Sequence, residues 1–208
     1  MGPTTTSPAP TISRCVNGVV VDCRERTGVR QAVVVTRGRG TGRRIVTGNV
    51  GVLCLEAANV AISLVGVRLD ELGRLLGASC VLDGGSLEMC GYDVHIDLPG
   101  GDMKKEGFSV GLPICVGLVA MSFGKQVAEN VGFTGEVDLC GNVLAVGDVE
   151  QKLEGACRMG LDKMVIPLPS YQELDLDSLS PDIRSYVSTH VFPVSNVLQA
   201  LTHGIVGK

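Results

Sequence analysis

An α+β domain is the architecture the sequence predicts, and three features of its hydrophobic pattern predict it. Two valine-rich stretches, residues 16–21 and 31–36, have strand composition and are separated by a polar turn region at residues 23–30, so a hairpin follows. Leu55, Ala58, Ile62, Val65, Leu69, Leu72 and Leu76 recur at three- and four-residue steps, the period of an amphipathic helix over residues 55–76. Residues 134–146 alternate across Gly141-Asn142, a strong hairpin signal. Strands and helices interleave with hairpins as well as crossovers, which favours mixed sheets flanked by helices over a purely parallel sheet.

The 208 residues suit one domain with a sizeable core. Residues 12–208 form that domain, and residues 1–11, rich in Thr and Pro, read as a disordered tail or an expression remnant. They have neither the basic nor the apolar region of a secretory signal. Aromatics are only 3% and Trp is absent, so the core must be built from Val, Leu, Ile, Ala and Cys. A net charge of -4 argues against a nucleic-acid surface. The eight cysteines contain no C-x-x-C, and Cys54 and Cys115 lie in apolar runs as small buried hydrophobes. Reduced thiols and an intracellular compartment are therefore expected. Zinc-ligand spacing is absent and His95, His190 and His203 are scattered, so no metal is expected. The uncharged run at residues 107–124 approaches the length of a membrane span, but its Gly, Ser and Pro content favours a buried core helix and no membrane is expected.

In chain order, Gly38-Arg39-Gly40-Thr41-Gly42-Arg43-Arg44 invites a phosphate-loop reading, but no Gly-Lys-Ser/Thr closes it and a flexible, solvated turn is preferred. Residues 78–91 read as a loop, and residues 92–98 alternate as a strand with one solvated face, carrying His95. Residues 99–103 are a loop that delivers the chain to a serine segment. Gly147-Asp148 then caps a helix with Val149, Lys152, Leu153, Ala156 and Cys157 at helical steps. A strand at residues 163–167, a helix near 169–174, a strand near 189–192 and a last helix at 195–201 complete the chain.

Two positions carry chemistry. Ser109, in Gly107-Phe108-Ser109-Val110-Gly111, precedes a long apolar run, which puts it at or next to a helix N-terminus where backbone N–H groups and the helix dipole favour an oxyanion. The plainer reading is an ordinary serine N-cap. Lys152 lies beside the apolar face of its helix, where desolvation lowers an amine's pKa toward the range of a competent base. The G-x-S-x-G pattern also raises an α/β-hydrolase, with Asp175 or Asp177 and His190 as partners. That elbow needs a strand ending at the serine, whereas a loop at residues 99–108 intervenes.

Lys105-Glu106 with Gly107 to Gly111, Thr134-Gly135-Glu136, and the helix carrying Lys152 resemble the proteolytic domain of Lon proteases. The resemblance extends to Val16-Asn17-Gly18, Thr47-Gly48-Asn49-Val50-Gly51, Asp93-Val94-His95, Pro99 and residues 163–167, and spans residues 12 to 203. Thr134 and Lys152 follow Ser109 at the offsets that family keeps. It implies a Lon-type α+β fold and a serine endopeptidase with a Ser109-Lys152 dyad, the proteolytic part of an ATP-dependent protease that degrades unfolded or damaged proteins. Lys152 takes the proton from the Ser109 hydroxyl, Ser109 attacks the scissile carbonyl, and Thr134 orients Lys152; Glu106, Gly107 and Phe108 support the serine. The implied partners are polypeptide substrates, further copies of the chain in a hexameric ring, and an ATPase module that would bring ATP and Mg and is not in these residues. No cofactor is expected in the chain itself. The implied location is the bacterial cytoplasm or mitochondrial matrix, since the peroxisomal type ends in a Ser-Lys-Leu-like tripeptide and this sequence ends Val206-Gly207-Lys208. The sequence departs from the family's usual pattern at Phe108 and Val110, where Pro and Ala are usual, at Glu106 for Asp, at Glu150 for a frequent Lys, and at Asp97 for a frequent His. These departures keep a second reading open, a Lon-like assembly module that is catalytically silent.

Overall fold

A computed structural model describes residues 11–22, 24–88 and 91–206. Residues 1–10 of the tail expected at residues 1–11, and the thiol reading of Cys23 and Cys90, lie outside the described residues; Thr11 is described, exposed and outside any regular element. The first hairpin is longer than its valine runs: β1 (Ile12–Asp22) and β2 (Thr27–Arg39) pair antiparallel from Ile12 opposite Arg37 to Asp22 opposite Thr27. The polar ends extend because ladder pairing, once begun, satisfies backbone groups whatever the side chain. From Gln31 to Gly38 burial along β2 alternates, with Gln31, Val33, Val35 and Arg37 inward on one face.

The glycine-rich segment then turns into a short edge strand, β3 (Arg44–Thr47). The turn is pinned rather than flexible. Asp93 accepts the N–H groups of Thr41 at 2.7 Å and Arg43 at 2.9 Å and pairs with the Arg43 guanidinium. Those hydrogen bonds, the Arg43 N–H first, hold the Asp93 carboxyl well below the usual carboxylate range. α1 (Val52–Leu76) starts three residues earlier than its periodicity indicates and ends at Gly77, whose left-handed φ of 56° lets its N–H reach back to the last turn. Ala58, Ile62, Val65, Leu69 and Leu72 are buried as expected, whereas Leu55 is exposed. Among the described residues α1 is the helix long and apolar enough to cross a membrane, with 44% of its apolar window buried inside the domain.

After β4 (Tyr92–Asp97), which pairs with β2 and β3, a loop leads to α2 (Gly111–Ser122). All 12 residues of α2 are buried, the outcome for a helix that is apolar on every side. β5 (Gln126–Val127) precedes β6 (Val131–Phe133), a central strand too short to announce itself in the sequence. The expected hairpin is present but minimal, as β7 (Glu136–Val137) and β8 (Val143–Leu144). Then follow α3 (Val149–Arg158), β9 (Lys163–Pro167), α4 (Leu168–Gln172) and α5 (Pro181–His190). β10 (Val191–Val194), α6 (Val197–Gly204) and β11 (Ile205–Val206) close the described chain. The strand expected near 189–192 therefore begins later, because Thr189 and His190 finish α5. That helix is started by Ser180, whose hydroxyl accepts the Ile183 N–H, with Pro181 at its first position.

The main sheet has seven strands in the order β10-β9-β6-β1-β2-β4-β3, mixed in direction. α2 packs against one face of the β1–β2 hairpin through Val16 and Val35, with α1 beyond it. α3 packs on the other face beside Val19 and Met164, with α5 behind it. Here backbones nearly touch: a Cβ on Gly155 would lie 2.3 Å from the Gly28 carbonyl oxygen. The fold is the mixed α+β arrangement expected, and α2, which follows Ser109, and α3, which carries Lys152, approach the hairpin from opposite faces.

Candidate active site

Ser109 sits on a short 3₁₀ turn, Phe108–Val110, that runs directly into α2. Gly107 begins the turn with φ 105° and ψ 158°, a conformation essentially restricted to glycine. Val110, not Ser109, occupies the N-cap position of α2, and no side chain caps the helix, so the N-cap reading of Ser109 does not hold. The Ser109 hydroxyl makes no hydrogen bond among the described residues. Its backbone is held by the segment after β6: Gly135 N–H donates to the Ser109 carbonyl at 3.0 Å, and Leu112 N–H donates to the Gly135 carbonyl at 2.9 Å.

Lys152 lies in the first turn of α3 with 4% of its surface exposed, because its stem follows the apolar face as the helical spacing indicates. Burial pushes its amine down to about 8, against the opposing effect of the Asp148 carboxylate. Nζ donates to the Gly147 carbonyl at 2.7 Å. The orienting bond expected from Thr134 is not formed. Thr134 is fully buried and its hydroxyl has no hydrogen-bond partner, since the amine it was to hold is turned to Gly147. Asp148 stands at the N-cap of α3 as expected, but with a left-handed φ of 55° and no side-chain cap bond; its carboxylate lies 3.8 Å from the Arg26 guanidinium instead.

The loop at residues 99–108 is tied down on both sides. Gly51 N–H donates to the Lys105 carbonyl at 2.8 Å and Lys105 N–H to the Asn49 carbonyl at 3.0 Å. Glu106 does not face Ser109 alone. Its carboxylate accepts the Leu53 N–H at 3.2 Å, which caps the N-terminus of α1 where Gly51 supplies no side chain, and it pairs with Lys104 at 2.9 Å. The Lys104 bond first, then the Leu53 N–H, holds the Glu106 carboxyl below its ordinary range. Cys54 Sγ–H donates to the Gly107 carbonyl at 3.3 Å, and burial pushes that thiol up to about 11. Phe108 is half-buried against the main core, which gives its bulk a packing role in holding the turn.

These pieces meet in a cavity of about 270 Å³ at the end of the β1–β2 hairpin. Ser109 and Lys152 both line it, as do Glu106, Gly107 and Phe108, whereas Thr134 is not part of its lining. Reasoning from sequence missed Val20, Val21, Glu136, Ala145 and Val146, which complete the lining. Gly147 and Asp148 could have been found from their place just before Lys152. Neither Asp175, Asp177 nor His190 reaches the cavity. Asp177 pairs with Arg184, and His190 stacks on Tyr186 with ring centroids 4.9 Å apart. With β4 ending at Asp97, well before the serine, the α/β-hydrolase elbow is ruled out on geometry. His95 is equally remote on β4, where its Nε2 meets the Thr47 hydroxyl at 2.9 Å. No group of three or more metal-binding side chains occurs among the described residues.

A buried lysine and an unengaged serine sharing one small cavity are the equipment of an acyl-transfer site. Comparison with known proteins points the same way. The chain is 31% identical over 177 residues to Lon protease 1 of Bacillus subtilis, an alignment covering 85% of the chain and 21% of that protein. It is 36% identical over 154 residues to the Lon protease of Salinispora arenicola, covering 74% of the chain and 18% of that protein. It is 30% identical over 166 residues to the Lon protease of Methanosarcina barkeri, covering 80% and 19%. The chain thus spans about a fifth of the length of the curated relatives it matches. With the model of the Lon protease (S16) C-terminal proteolytic domain matching residues 24–207, the chain belongs to that family of peptidase domains.

Proposed function

We propose that the chain is the proteolytic domain of a Lon-type serine endopeptidase in which Ser109 is the nucleophile and Lys152 the general base. The observation that carries this reading is the pairing of the two residues in one cavity, with Lys152 buried and its amine lowered to about 8. A neutral amine there accepts the Ser109 hydroxyl proton, Ser109 Oγ bonds to the scissile carbonyl carbon, and the proton passes from Lys152 to the departing amine. Water, deprotonated by Lys152, then releases the acyl group. In the first turn of α2 the Gly111 and Leu112 amides are already committed to the carbonyls of Phe108 and Gly135, so the Ser109 and Val110 amides are the donors proposed for the oxyanion. Thr134 takes over the amine once Lys152 turns from Gly147 toward Ser109, which would satisfy its buried hydroxyl.

The substrates proposed are unfolded or damaged polypeptides, fed to a hexameric ring by an ATPase module that handles ATP and Mg and lies outside these residues. No cofactor, nucleic acid or membrane is proposed for this domain, and its location is the bacterial cytoplasm or mitochondrial matrix. A second reading, the silent assembly module, draws on the bond from Lys152 to Gly147 and the unpartnered Thr134. Hydrolysis of casein and of an unstructured fluorogenic peptide decides between them, measured from about pH 6 to about pH 10 with wild type, Ser109→Ala and Lys152→Ala. Activity that rises with pH and disappears in both variants supports the dyad. Rings that form in solution, cleave nothing and leave Ser109 untouched by a serine-directed phosphonate support the silent module.

A further inference from the structure

The side chain of Lys105, four residues before Ser109, has no part in the chemistry described and is almost as deeply buried as Lys152. Only 6% of Lys105 is exposed. Its ammonium donates to three backbone carbonyls: Gly48 at 2.8 Å, Met103 at 3.1 Å, and Gly100. Three N–H donors therefore meet three acceptors, and no carboxylate is among them. The three carbonyls come from two loops. Gly48 belongs to the turn between β3 and α1, and Gly100 and Met103 belong to the loop that delivers Ser109.

The loops touch closely where the ammonium joins them. A Cβ on Gly48 would lie 1.9 Å from the Leu98 carbonyl oxygen, so Gly48 is packed backbone to backbone. Asn49 Nδ2 donates to the Gly101 carbonyl at 3.0 Å. The loop is also held by the backbone pairs of Lys105 with Asn49 and Gly51, by the buried Gln31 amide on the Pro99 carbonyl at 3.0 Å, by the Glu106 carboxylate, and by a thiol donor from Cys54. The buried ammonium is the strongest single tie, because a charged donor binds its acceptors more tightly than a neutral one and hidden carbonyls are costly to leave unpaired.

We propose that Lys105 is a positioning residue for Ser109: its ammonium gathers the carbonyls of Gly48, Gly100 and Met103 and thereby fixes the 99–108 loop from which the serine projects into the cavity. The proposal rests on the reading of Ser109 as nucleophile. A group that sets the nucleophile's place, and not the substrate's, acts on kcat more than on KM. Removing the ammonium leaves a pocket rimmed by three carbonyl oxygens, shaped for a small organic cation.

Two readouts test this. The first is hydrogen exchange of residues 98–108 in the Ser109→Ala background, with and without Lys105→Met; no turnover is needed. Faster exchange confined to that segment is expected, with the circular dichroism and melting of the rest retained. The second is peptide hydrolysis by Lys105→Ala, in which kcat falls by about 10²-fold while KM changes little. Propylammonium, which replaces the missing side chain beyond Cβ, raises kcat by about tenfold, and 1-propanol at the same concentration does not. Unchanged exchange in Lys105→Met overturns the proposal, and so does a loss of kcat that propylammonium leaves as it is. A wild type that hydrolyses nothing removes the nucleophile reading instead, and the exchange arm then decides by itself whether Lys105 holds the loop.

Discussion

At the scale of single residues, Lys152 sets the pH behaviour. With its folded pKa near 8, the neutral base accumulates as pH rises through that value, so kcat for peptide hydrolysis should climb across pH 7 to 9 and level off above, as initial rates would record. Stability carries the same sign. The folded pKa lies below the unfolded 10.5, so the unfolded chain binds more protons between about 8 and 10.5, and stability rises with pH through that window. Lys152→Met removes this titration. Its stability advantage over wild type in urea unfolding should therefore shrink by roughly 3 kcal/mol from pH 7 to pH 11. Thr134 offers a separate check. Its hydroxyl is buried and unpartnered, so Thr134→Val should keep or raise stability by about 1 kcal/mol while lowering kcat, seen by urea unfolding beside peptide turnover. A stability loss without a kinetic change would contradict the role proposed for it.

Elements decide where those residues meet. Glycine at positions 28 and 155 lets α3 lie against β2 closely enough for Lys152 to reach the cavity. Gly155→Ala gains helix propensity of about 1 kcal/mol but drives a Cβ into the Gly28 carbonyl. A net loss of about 1–3 kcal/mol is expected by urea unfolding, together with reduced turnover as α3 is pushed away from the hairpin. Much at this scale was legible beforehand. The steps of Ala58, Ile62, Val65 and Leu69 marked α1, and those of Val149, Leu153 and Ala156 marked α3, because one buried stripe leaves a strong period. β6 was missed because three residues make no pattern, yet it lies inside the sheet between β9 and β1. α5 was missed although Ser180-Pro181 carried an N-cap followed by proline at the first position, a signal obscured by the few buried residues, Tyr186 and Val187, that follow.

For the whole molecule, the sheet is a partition with helices packed on each face, and the cavity opens where the β1–β2 hairpin ends. Thiol reactivity maps this arrangement. Cys15 and Cys140 are free and exposed, whereas Cys54 and Cys115 are free and buried, and burial raises both of those thiols. Brief alkylation of the native protein, with peptide mapping by mass spectrometry, should label Cys15 and Cys140 at once and Cys54 and Cys115 only after unfolding. Early labelling of Cys54 would mean that the loop over it opens in solution, since its thiol is bonded to Gly107.

The sequence by itself determined the fold class, the long first hairpin's core, the helices of α1 to α3, and the candidacy of Ser109 and Lys152. These depend on local periodicity and on residue spacing, which the chain carries without folding. Only the tertiary structure decided that Ser109 and Lys152 share a cavity, since they reach it from opposite faces of the sheet. It alone directed the Lys152 amine to Gly147, left the Thr134 hydroxyl without a partner, and turned Glu106 into a cap for α1. Those outcomes depend on which carbonyls and amides burial leaves to be satisfied, and neighbours distant in sequence supply them.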